Sequence, residues 1–127
     1  MIYNLHMSET KESLEKRLKL FCFEIVKLTR SLPKTEENKI FGRQIIRSAS
    51  SIGANYAEAV YGQTRQEFLH CMSISRKETN ETLYWLEMIL FVNPGYNIKI
   101  NPLLEENKQI LKIFISSIKT IHKNNSK

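Results

Sequence analysis

Apolar residues recur along most of this chain at alternating steps of four and three, the rhythm that buries one face of an α-helix. Leu14, Leu18, Phe21, Ile25 and Leu28 form the first such seam. They predict a helix from about Glu9 to Arg30, with Ser8 as its N-cap. Leu20 and Phe23 fall off the seam and mark a second contact surface. Pro33 then disfavours helical backbone at Leu32, and Thr35 is placed to cap a second helix from about Glu36 to Tyr61. Phe41, Ile45, Ile46, Ala49, Ile52, Tyr56 and Val60 share one face of it. Its interior Gly53 costs about 1 kcal/mol against Ala, which implies a packing reason.

A third helix is predicted from about Arg65 to Val92, opened by the capping box Thr64-x-x-Glu67. Phe68, Met72, Ser75, Thr79, Leu83, Leu86 and Leu90 line its core face, while Ile74, Trp85 and Met88 form a second stripe pointing away. Leaving such side chains in water forfeits roughly 1.5–3 kcal/mol each, so this helix is expected to be covered on more than one side. Asn93-Pro-Gly-Tyr-Asn97 is rich in turn residues. Beyond it, Asn101 reads as an N-cap and Pro102 as the first residue of a fourth helix reaching about His122. Leu104, Leu111, Phe114, Ile118 and Ile121 continue its seam. Short links between long helices imply antiparallel neighbours. The expected fold is all-α, an antiparallel up-down-up-down four-helix bundle, one domain over residues 1–127.

Composition strengthens the helical reading, because all 13 acidic residues are Glu, a good helix former, and none is Asp. Cys22 and Cys71 sit inside apolar helical patterns without metal-type spacing and read as reduced core residues. The opening MIYNLHM is too short for a signal peptide and no apolar run approaches a membrane span, so a cytoplasmic location is expected. The net charge of +6 turns attention to polyanionic partners.

Two surfaces carry the candidate chemistry. On helix four, Lys108, Lys112, Lys119 and Lys123 fall within about 60° of one another. Such a stripe opposite a seam is commonly a solvated face. Its functional reading is contact with the phosphates of RNA or DNA, giving affinity without sequence specificity. On helix two, opposite the core, Arg43, Arg47, Ser51, Ala54, Asn55 and Glu58 form a stripe of little bulk that lets a second backbone approach. With Ile74 and Trp85 of helix three it is the expected oligomer interface. Arg43 and Arg47 are suited to phosphates or to Glu58, Glu78 or Glu81 of another helix or subunit.

Catalytic patterns are sparse. Glu67-x-x-His70 is half of a di-iron bundle motif, but its Glu belongs to the capping box and no second copy exists, so no metal and no cofactor are expected. Arg65-x-x-x-x-His70 resembles the short motif of HEPN ribonucleases, which would use the pair as charge stabiliser and acid–base on RNA. Two fixed positions arise easily by chance, and the chain reads as a non-enzyme.

The runs Leu32-Pro-Lys-Thr-Glu-Glu37, Gln44-Ile-Ile-Arg-Ser-Ala49 and Ser51-Ile-Gly-Ala-Asn-Tyr-Ala-Glu58 resemble the 23S ribosomal RNA intervening-sequence proteins. Glu67-Phe-Leu-His-Cys-Met-Ser-Ile-Ser-Arg-Lys-Glu-Thr-Asn-Glu-Thr-Leu-Tyr-Trp-Leu86 is similar to the third helix of the same family. The resemblance implies an antiparallel bundle, a homopentameric ring and no known catalysis. It also extends to retroelement accessory bundle proteins, which bind nucleic acid and a reverse transcriptase. The expected function is a non-catalytic homo-oligomer touching nucleic acid or a nucleoprotein partner. A purely structural oligomer and a ribonuclease are the alternatives.

Overall fold

The computed structural model describes residues 11–125, so the expected cap Ser8, the helix start at Glu9 and His6 lie outside the described residues. Four long helices account for nearly all of it: α1 (Lys11–Ser31), α2 (Glu36–Val60), α3 (Arg65–Val92) and α4 (Asn97–Asn125). No strand occurs among the described residues.

Helix starts fall where side chains can serve the free N–H groups of a first turn. Thr35 accepts from the backbone of Asn38 at 3.2 Å to open α2. At α3, Thr64 Oγ1 accepts from Glu67 N at 3.0 Å and Glu67 Oε2 accepts from Thr64 N at 3.3 Å, the reciprocal arrangement of a capping box. The expected start of α4 is overturned. A 3₁₀ turn, Pro94–Tyr96, runs straight into α4 at Asn97, leaving Asn101 and Pro102 inside the helix, which also continues past His122 to Asn125. Tyr96 explains the early start. Its N–H bonds to the Asn93 carbonyl and its hydroxyl donates to the Ser31 carbonyl at 3.2 Å, so the chain is already anchored there. Ile100, fully buried, then begins the seam ahead of Pro102.

Core phases follow the seams with informative shifts. Leu14, Leu18, Phe21, Ile25 and Leu28 are all buried, as the pattern predicts. On α3 the buried line runs Phe68, Met72, Ser75, Thr79, Thr82, Leu86, Ile89, so Thr82 takes the place expected of Leu83, while Leu90 packs half-buried against the core beside Ile89. On α4, Ile100, Asn107, Ile110, Ile113 and Ser117 are buried, whereas Leu104 and Leu111 are only half-buried.

The α2–α3 pairing is the most extensive in the molecule and is built from small polar residues. Thr82 Oγ1 donates to Ser48 Oγ at 2.8 Å, Ser48 donates on to the Ile45 carbonyl, and Ser75 Oγ donates to the Ile52 carbonyl at 2.9 Å. Short side chains let the two backbones close up while each of these hydroxyls finds an acceptor, the condition for burying polar groups cheaply. As α2 advances from Asn38 through Ser48 to Ile52, its partners on α3 retreat from Asn93 through Thr82 to Ser75. Asn107 of α4 joins this polar layer, its buried amide facing the Thr79 carbonyl at 3.2 Å and the Leu83 N–H at 3.3 Å in the orientation that matches donor to acceptor. The helix backbones pack as neighbours in the cycle α1–α2–α3–α4–α1, so α1 lies diagonal to α3 and α2 diagonal to α4.

Candidate functional site

Burial of Asn107, Ile110, Phe114, Ser117 and Ile121 turns the opposite side of α4 to solvent, and Lys108, Lys112, Lys119 and Lys123 are all exposed there. The fold adds cations that sequence reasoning did not include. Ser73, Arg76, Lys77 and Asn80 of α3 face Leu111 and Ile115 of α4 across a surface groove of about 380 Å³. Lys108, Lys112 and Lys119 flank Leu111 and Ile115 at three- and four-residue steps, so they share that side of α4. Arg76, Lys77, Lys112 and Lys119 are exposed and form no ion pair among the described residues. Lys108 lies 4.0 Å from Glu105, both well exposed, a contact worth at most a fraction of a kcal/mol (roughly 0.2–0.5). Lys108 to Lys123 extends about 22 Å along the helix at 1.5 Å per residue. The result is a polar-walled trough with basic banks. Arg76 and Lys77 are adjacent in sequence, yet only the packing of α4 against α3 reveals which lysines they join.

The stripe on α2 is divided by the structure. Arg47 forms ion pairs with Glu78 at 3.3 Å and with Glu81, both of α3 in the same chain. Trp85 Nε1 donates to the same Glu81 carboxylate at 3.1 Å, and its ring packs against Phe41 at 5.7 Å and edge-on to Tyr84 at 4.9 Å. Arg47 and Trp85 thus already have partners within one chain, and Trp85 is half-buried by them. Ser51 donates to the Arg47 carbonyl at 2.8 Å and Asn55 to the Ser51 carbonyl at 2.9 Å, both within α2. Ala54 and Glu58 are exposed, and Ile74 is half-buried. Arg43 is exposed beside a hollow lined by Thr29, Pro33 and Ile46.

The pair Arg65 and His70 is kept apart. Arg65 Nη2 donates at 2.9 Å to the Ile121 carbonyl in the last turns of α4, where a cation complements the helix dipole. His70, five residues on, sits about 140° around α3 from it and is exposed. Nothing in one chain converges on a common reacting atom. Both cysteines are free and half-buried. Burial raises the Cys22 thiol, and burial followed by the carboxylates of Glu58 and Glu67 raises that of Cys71. Neither environment generates a thiolate nucleophile. No group of three His, Cys, Asp or Glu suited to a metal ion exists among the described residues, nor is any described helix long and apolar enough to cross a membrane.

Comparison with known proteins agrees with this architecture. Residues 11–116 match the family model of the 23S rRNA-intervening sequence proteins. The chain belongs to that family. A crystal structure from Bacteroides thetaiotaomicron, of a protein of unknown function from the S23 ribosomal protein family, shares the fold. It is 32% identical, with a TM-score of 0.78, covering 86% of this chain and 97% of that one. No curated protein matches. The intervening-sequence family therefore brings a fold and a sequence signature but no catalytic assignment, and the site must be argued from its own geometry.

Proposed function

We propose that this member of the family is a non-catalytic, self-associating, single-domain bundle with up-down-up-down connections that binds the phosphate backbone of nucleic acid. The retreating partner order between α2 and α3 supports the antiparallel topology. The observation that carries the binding reading is the set Arg76, Lys77, Lys112 and Lys119: exposed cations on two adjacent helices, with no carboxylate paired to them among the described residues. A side chain that already holds a carboxylate, as Arg47 does, is of little use to a phosphate.

Such a surface recognises charge, not bases, and its affinity comes from releasing counterions. With about four phosphates engaged, log K should fall against log salt with a slope of roughly −3.6 on duplex. Affinity then drops on the order of a hundredfold between 50 and 200 mM salt. Titration of fluorescent RNA and DNA of unrelated sequences tests this. No affinity at low salt would leave the purely structural oligomer as the function. In the same tubes the RNA should stay intact, and His70→Ala should change nothing. Cleavage that disappears in that variant would restore the ribonuclease.

A further inference from the structure

We infer that the outer face of α3 takes a single strand of nucleic acid, stacking its bases on Tyr84 and Phe91 while the trough holds its phosphates. This rests on the binding reading above and names the form of nucleic acid that fits. Lys77, Tyr84 and Phe91 follow one another at seven-residue steps, so they stay within about 40° of one line along α3. Lys77 belongs to the trough, and the line runs on from it for about 21 Å. Tyr84 is 54% exposed and Phe91 82%, while Leu86 and Ile89 fill the core side of the same turns. Large apolar rings left this bare mark a contact surface, and here that surface continues a basic one. Tyr84 is also braced. Its ring sits edge-on to Trp85 at 4.9 Å, and Trp85 is in turn bonded to Glu81.

Cations and exposed rings along one line suit a single strand, whose backbone follows the charge and whose bases each offer a π-face. A duplex cannot use the rings. Its bases lie on one another at about 3.4 Å and hide their faces, whereas Tyr84 and Phe91 are about 10 Å apart along the axis. Bases that rest on both rings must first part from each other, which an unpaired strand does at small cost. Charge sorts the two halves of the face. Glu87 is exposed between the rings and has no ion pair among the described residues. A carboxylate there repels phosphates but accepts hydrogen bonds from the amino groups of bases. The strand therefore turns its backbone toward Arg76 and Lys77 and its bases toward Tyr84 and Phe91.

The test uses the full chain and a labelled oligonucleotide of about 16 nucleotides without self-complementarity, as RNA and as DNA, alone or annealed to its complement. Fluorescence anisotropy at low salt should show each single strand bound on the order of tenfold more tightly than its duplex, or better. Tyr84→Ala and Phe91→Ala should each weaken the single strand by roughly 5- to 150-fold, the loss of one stacked base, and leave the duplex as it was. Their salt slopes should match the wild type's because no phosphate contact is lost, whereas Lys77→Gln should flatten the slope for both forms. Tyr84→Phe and Phe91→Trp keep a ring and should keep the affinity. Both positions are exposed, so circular dichroism should report unchanged helicity. Trp85, the only tryptophan, gives a second readout through its contact with Tyr84: a single strand should quench it and a duplex should not. A wild type that binds neither form at low salt defeats the nucleic-acid reading itself. Equal affinity for strand and duplex, or alanine variants that hold the strand normally, overturns only the stacking. So does a Phe91→Ala variant that dissociates in ultracentrifugation while its single-strand affinity persists, since the face would then join copies of the chain.

Discussion

Phe114→Ala is expected to lower the unfolding free energy by about 3–5 kcal/mol, the range for truncating a buried aromatic. Phe114 is fully buried and meets Tyr56, equally buried, edge-to-face with centroids 6.2 Å apart. That contact joins α2 to α4 across the centre of the molecule, where the other helices leave no slack to close the resulting cavity. Against a total stability of typically about 5–15 kcal/mol this is a major loss. Urea unfolding at fixed protein concentration measures it, and Phe114→Leu should cost markedly less because most of the volume is retained. A loss below about 1 kcal/mol for the alanine variant would mean that the centre repacks freely, against the close packing described.

Reversing Arg76 and Lys112 to Glu together should weaken RNA and DNA binding on the order of a hundred- to a thousandfold at low salt. Each reversal removes an attraction and adds a repulsion of about 1 kcal/mol at close range in water. The salt slope should flatten by roughly 0.9 for each phosphate no longer engaged, and unrelated sequences should suffer alike. Reversing Arg47 is the control. It would break the pairs with Glu78 and Glu81 and so cost stability, while leaving Arg76, Lys77, Lys112 and Lys119 in place. Equal weakening from both changes would show that net charge alone, with no particular face, governs binding.

The periodic parts of the molecule were legible and the contextual parts were not. The α1 seam and the Thr64–Glu67 box depend on neighbours close in sequence, so spacing alone discloses them. Asn101-Pro102 carries the same local signature as a helix start, yet Tyr96 reaching Ser31, 65 residues away, settles where α4 begins. On α3 hydrophobicity favoured Leu83 and Leu90, but close approach of α2 selects the smaller Thr82 and shifts the buried line by one residue. The lysine stripe on α4 was visible, whereas its union with Arg76 and Lys77 required knowing which helix lies beside it. Leu111, expected in the seam, lines the groove between those banks for the same reason.

The paired amides of Asn38 and Asn93 give the molecule two unequal ends. Asn38 Nδ2 donates to Asn93 Oδ1 at 3.0 Å and Asn93 Nδ2 returns a bond to Asn38 Oδ1 at 2.8 Å, both side chains buried. Their remaining donors go to the Pro33 and Ile89 carbonyls, so the α1–α2 and α3–α4 turns are clasped together. At the opposite end, the exposed Tyr61–Thr64 connection and the last turns of α4 are tied across by the Arg65 bond to the Ile121 carbonyl. Hydrogen exchange should register the difference as a gradient: amides near the asparagine clasp exchange only through global opening, while those around Gly62 and Ile121 exchange by fraying. Phe91 and Ile98 flank the clasped turn, so the large apolar side chains left bare at that end sit on the part of the molecule expected to open last.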